Sequence, residues 1–150
     1  MKDTHMIEML LSCATLLSVG LMSDKEYNHL LDTLFMEMPK DDFLLDLEYV
    51  SSNINRTISV IHCYCSEHTV DYNAFGQFLM NDLKKAYLND SVDIEDFAAK
   101  VYTIWRNLPS TIQPVEPFWT MCYADDPLSW GDKEQTRALY EKMFSFYDEQ

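Results

Sequence analysis

His62, Cys63, Cys65 and His68, with Glu67 among them, form the one place in the sequence where soft metal ligands gather. Zinc accepts imidazole and thiolate in a tetrahedron. On a helix, however, His62, Cys65 and His68 follow one another at i, i+3 steps along a drifting side, while Cys63 points away. Four ligands so placed cannot close a tetrahedron without a break in the helix. The second ligand pair that structural zinc sites draw from elsewhere in the chain is missing. The expectation is a partly buried, reduced cluster with no metal and no cofactor. Asp125 and Asp126 beside Pro127 are the other chemical candidates, as metal ligands or as an acid and base pair. The competing expectation is that they hydrogen-bond backbone donors in the loop and cap the next segment of chain.

No G-x-S-x-G elbow or glycine-rich phosphate loop occurs, and the Cys and His spacings match no catalytic signature. A non-enzymatic protein is therefore expected. The alternatives are an enzyme built on His62 and Cys65 or on the Asp125 and Asp126 loop, a general interaction module, or a DNA-mimic inhibitor.

The charge gives these readings their direction. The chain has 25 acidic and 11 basic residues in 150, a formal net charge of -14. Such a field repels nucleic acid and anionic lipid and speeds encounter with a basic partner. The only adjacent basic pair is Lys84 and Lys85, so nucleic-acid binding is not expected. Residues 1–50 alone hold 10 acidic and 3 basic side chains, half of the excess. Glu37, Asp41, Asp42, Asp46 and Glu48 crowd around Lys40. A second group, Tyr123, Asp125, Asp126, Trp130 and Asp132, alternates carboxylates with aromatics, the composition of a binding hot spot. The expected partner-binding residues are thus Asp125, Asp126, Trp130 and Asp132, then Asp41, Asp42, Asp46 and Glu48. Against this stands the reading that Trp119 and Trp130 pin the loop to the core while the acids stay solvated or cap helices.

Helices must carry these groups. At 47% hydrophobic and 13% aromatic, the chain is too apolar for an acidic disordered tail. Three glycines and five prolines are too few for many short strands. The pattern predicts helices over about Thr4–Val19, capped by Asp3 or Thr4 and ended by Gly20, and from Ser23, boxed with Glu26, to a stop at Pro39. A third, capped by Asp41 and Asp42, turns Phe43, Leu44, Leu47 and Val50 inward. A fourth carries Ile54, Ile58, Ile61 and Cys65, although its β-branched residues also suit a strand. Further helices are expected over Tyr72–Leu88, with Asp71 as cap, and from Ile94 to Leu108 after a turn at Asn89–Ser91. The last, from Asp132, presents Leu139, Met143, Phe146 and Tyr147. Phe118–Tyr123 reads as a short helix or packed aromatic segment, and the prolines near 109–117 make an irregular connection. The fold class expected is all-α, a single compact bundle of about seven helices in one domain over 1–150. The stretch Met6–Met22 is too short and interrupted for a membrane span, and no signal peptide is read. Reduced cysteines and a cytoplasmic protein are the corresponding expectations.

In small size, acidity, helical character and lack of catalytic signature, the chain resembles the immunity proteins of bacterial toxin systems, including those of contact-dependent growth inhibition. The resemblance is one of overall character and transfers no binding residue. It implies a protein, monomeric when free, that binds a cognate basic toxin such as a nuclease and occludes its active site.

Overall fold

The structure, a computed structural model, describes residues 5–89 and 93–149. Among them are eight α-helices, two 3-10 helices and no strand, so the chain is all-α. The fourth segment is helical despite its β-branched residues. The helices divide into two compact units, Met1–Phe75 and Gly76–Gln150. The division falls within a helix rather than at the proline-rich connection.

In the first unit, α1 (Met6–Val19) buries Leu10, Leu11, Cys13, Ala14, Leu16 and Leu17, and packs against α4 (Ile54–Ser66). This near-complete burial is what an apolar surface on most sides demands. Asp3 and Thr4, the expected caps, lie outside the described residues, and His5 holds the N-cap position. At the other end Gly20 takes a left-handed φ of 79°, which lets the Leu21 N–H close onto the Leu16 carbonyl at 2.9 Å. The Ser23 and Glu26 box starts α2 (Asp24–Glu37) as expected. The Glu26 N–H donates to Ser23 Oγ, and the Ser23 N–H donates back to Glu26 Oε1, both at 3.1 Å. Asp41 caps α3 (Asp42–Tyr49) and Asn53 caps α4. Fully buried Thr57 satisfies its hydroxyl by donating to the Val50 carbonyl at 3.1 Å.

The start of α5 (Tyr72–Tyr87) is held twice. Asp71 Oδ1 accepts from the Asn73 and Ala74 N–H groups at 3.0 and 3.2 Å. The Asp71 N–H in turn donates to Glu8 Oε2 at 2.8 Å. Glu8 is a carboxylate on α1 only 4% exposed, and this bond ties the first helix to the turn before the fifth.

In the second unit, Asp93 caps α6 (Ile94–Arg106), whose inward stripe is Ile94, Phe97, Ala98, Val101 and Ile104. Asp90 and Ser91 of the expected turn lie outside the described residues. The 109–117 connection is a chain of tight turns around buried Ile112 and leads into the short α7 (Thr120–Tyr123). A 3-10 helix, Asp126–Trp130, comes next and is ended by Gly131 at φ 80°. Then come α8 (Lys133–Phe144), capped by Asp132, and a 3-10 turn over Phe146–Glu149. The last helix departs from the expected register. Tyr140 is fully buried and Leu139 only half-buried, because Thr136, Tyr140, Met143 and Phe144 make the inward face. That face brings Tyr140 against Phe97 in a T-shaped pair at 5.2 Å.

Position 76 has no side chain for a packing reason. A Cβ there would run into the hydroxyl and ring of Tyr147, with Phe118 close behind. Tyr27 and Tyr140, one in each unit, are completely buried, and their hydroxyls have no hydrogen-bond partner among the described residues. Burial pushes both phenols well above their ordinary value. Both rings therefore serve as packing groups and carry a desolvation cost at the oxygen.

Candidate interaction surfaces

Of the first acidic group, α3 separates structural from available carboxylates. Asp41 is half-buried and accepts the Leu44 N–H at 3.1 Å as the helix cap. Glu48 is half-buried and close enough to Tyr27 to raise its phenol further. Asp42 and Asp46 are exposed and have no ion-pair partner among the described residues.

With them on one face stand two residues that the acidic pattern did not single out. Asp42, Leu45, Asp46 and Tyr49 occupy i, i+3, i+4 and i+7, the outer stripe of α3, opposite Phe43, Leu44 and Leu47. Leu45 is 44% exposed and Tyr49 88%. Met36, near the end of neighbouring α2, is also largely exposed. The signal for this stripe was present in the spacing. Continuing the outward positions from Asp42 and Asp46 reaches Leu45 and Tyr49.

The second acidic group lies in the other unit and is likewise divided. Asp132 Oδ1 accepts the Gln135 N–H at 3.0 Å and caps α8, so that carboxylate already has a local task. Asp125 is half-buried, and burial holds its carboxyl above the ordinary range, with Asp126 adding to the rise against a backbone hydrogen bond. Asp126 is exposed and has no ion-pair partner among the described residues. Trp130 is 64% exposed and Trp119 42%. Trp119 nevertheless meets Trp105 edge-on at 6.1 Å.

The His and Cys segment does not assemble a ligand set. His62, Cys63 and His68 are exposed and only Cys65 is half-buried, since Thr57 and Ile61 supply the buried face of α4. The cluster is therefore less buried than expected. His68 is engaged in a stack, with its ring 4.0 Å from Tyr64, which lies 3.7 Å from Phe43. Its Nδ1 is 2.7 Å from the Tyr64 carbonyl. Among the described residues, no group of three or more His, Cys, Asp or Glu side chains could hold a metal ion.

None of the four cysteines, all of them among the described residues, is in a disulfide, and their surroundings differ. Burial, with a smaller push from Glu8, raises the Cys65 thiol to about 11. Because the folded value lies above the ordinary 9.0, the stability contributed by the neutral thiol is whole below that pH and is lost as pH rises through about 11. Iodoacetamide near neutral pH is expected to label exposed Cys63 first and to leave Cys65 and buried Cys13 unmodified in the folded protein. Peptide mapping after timed quenching checks the order.

Among the described residues, no helix is long and apolar enough to cross a membrane. No protein-family model, curated protein or solved structure matches this chain, so the surfaces themselves carry the functional reading.

Proposed function

We propose that this chain is an acidic, non-enzymatic inhibitor of the immunity kind, which binds a basic protein partner, such as a nuclease toxin, and covers the surface that the partner uses. The observation that carries this reading is the outer stripe of α3. A tyrosine 88% exposed, a half-exposed leucine and two carboxylates without ion-pair partners among the described residues share one helix face. An exposed aromatic beside carboxylates that lack ion-pair partners gains both burial and ion pairs when a complementary surface arrives. The net charge of -14 supplies steering, since opposite charge raises association rates toward about 10⁸–10⁹ M⁻¹s⁻¹ at low salt.

The test is direct binding to the product of the adjacent reading frame by surface plasmon resonance. A one-to-one complex is expected whose association rate falls about tenfold or more between low and high salt. Tyr49→Ala and Asp46→Lys should each weaken it about 10- to 100-fold while circular dichroism stays unchanged. Absence of binding to that product overturns the reading.

A further inference from the structure

The second unit exposes an aromatic run next to its acidic loop. Tyr102 and Trp105 on α6 lie with ring centroids 5.9 Å apart, Trp105 meets Trp119 edge-on at 6.1 Å, and Trp119 lies 6.5 Å from Tyr123. The base of this run is fixed. Trp105 Nε1 donates to the Gln113 carbonyl at 3.0 Å, and the Gln113 carboxamide donates back to the Trp105 carbonyl at 2.9 Å. Over that base Trp119 is 42% and Tyr102 36% exposed, and Val115, whose carbonyl accepts the Trp119 N–H at 2.9 Å, is 52% exposed. A pinned indole therefore supports rings that stay open to solvent, an arrangement of preformed aromatic surface.

Three carboxylates gather at the same turn. Glu116 Oε1 accepts from the Thr120 N–H at 3.2 Å and from its hydroxyl at 2.6 Å, and Thr120 Oγ1 is 3.5 Å from the Tyr123 hydroxyl. Asp126, Asp125 and Glu116 all act on the half-buried Cys122 thiol, raising it after burial itself. Glu116 thus flanks the helical turn that displays Trp119 and Tyr123 through its bonds to Thr120, and Asp125 and Asp126 follow that turn directly in sequence.

The geometry points to Tyr102, Trp119 and Tyr123, rimmed by Glu116, Asp125 and Asp126, as the docking surface for an arginine-bearing segment of the partner. This assignment rests on the reading that the partner is basic. Ring faces carry negative quadrupole charge and the rim carries full negative charge, so the surface favours a cation. A guanidinium suits it better than an ammonium. It stacks flat on an aromatic ring while its edge donates to carboxylates in a fork, and it is more weakly hydrated. A nucleic acid or an anionic bilayer meets repulsion at the same place.

The full chain is titrated with a synthetic peptide of alternating Arg and Gly, following indole N–H resonances and intrinsic fluorescence, with Lys-Gly and citrulline-Gly peptides in parallel. The Arg peptide is expected to shift the Trp119 indole and to bind more tightly than the Lys peptide, with the citrulline peptide losing binding. Trp119→Ala should weaken Arg-peptide binding about 3- to 30-fold, while Trp119→Phe stays near the parent. Asp126→Lys, at an exposed position, provides the same loss should the tryptophan variant fail to fold. Equal binding of Arg and citrulline peptides, or parental affinity in folded Trp119→Ala or in Asp126→Lys, overturns the assignment. The protein partner separates the two ideas. If it binds Trp119→Ala and Asp126→Lys like the parent, this surface falls and the inhibitor reading stands. If the Arg peptide binds at Trp119 but the neighbouring product does not bind at all, the inhibitor reading falls and the surface stands.

Discussion

Phe97→Ala is expected to cost about 3–5 kcal/mol, the largest loss of any single truncation considered. Phe97 is fully buried and packs edge-to-face on two partners, Tyr87 at 5.5 Å and Tyr140 at 5.2 Å, while Phe144 lies 5.2 Å from Tyr87. Removing the ring leaves a cavity walled by aromatic groups that cannot collapse into it, because each is held by the others. A loss of that size is a large share of the roughly 5–15 kcal/mol that stabilises an ordinary domain. Phe97→Leu keeps much of the volume and should cost far less, about 1.5 kcal/mol. All three tryptophans, Trp105, Trp119 and Trp130, belong to the second unit. Urea unfolding followed by tryptophan fluorescence therefore reports the affected unit, and far-UV circular dichroism reports the whole chain. Coincidence of the two curves with the parent's midpoint would refute the prediction.

Glu8→Ala is expected to lower stability by about 2–3 kcal/mol. The carboxylate accepts the Asp71 N–H at 2.8 Å, and its other oxygen is 3.5 Å from His5 Nδ1. Truncation leaves the Asp71 donor without its acceptor and opens space beside α1, whereas Glu8→Gln can keep an acceptor in place and should cost less than half as much. Thermal unfolding followed by circular dichroism reads the loss, and a chemical readout accompanies it. Glu8 raises the Cys65 thiol after burial does, so Glu8→Gln should lower that thiol and speed its alkylation at alkaline pH. An unchanged alkylation rate in the folded Gln variant would show that the charge does not reach Cys65.

The starts of α2, α3, α5 and α8 were readable because each depends on a side chain within a few residues. Ser23 with Glu26, Asp41, Asp71 and Asp132 satisfy free backbone donors at the expected positions. Gly20 marks a helix end for the same local reason. What escaped was set by packing between elements. Tyr140 and Leu139 are adjacent and both apolar enough to face inward, and packing with Phe97, Tyr87 and Phe144 selects Tyr140. The acidic groups are clusters of charge along the sequence, but their division into caps and exposed carboxylates depends on hydrogen-bond geometry. Asp132 and Asp41 hold helix ends, whereas Asp126, Asp42 and Asp46 are exposed. The exposure of Tyr49 was legible in the outward spacing that it shares with Asp42 and Asp46, a signal that clusters of charge alone do not carry.

The meeting of Gly76 and Tyr147 links two positions that are distant in sequence. The end of the tyrosine side chain fills the place that a side chain at 76 would take. A larger residue at 76 requires Tyr147 to shrink or to swing aside, and a smaller residue at 147 leaves an opening that a larger residue at 76 can fill. Their substitutions are therefore coupled rather than additive. A helix interior that looks open to variation is in this way governed by a residue near the far end of the chain.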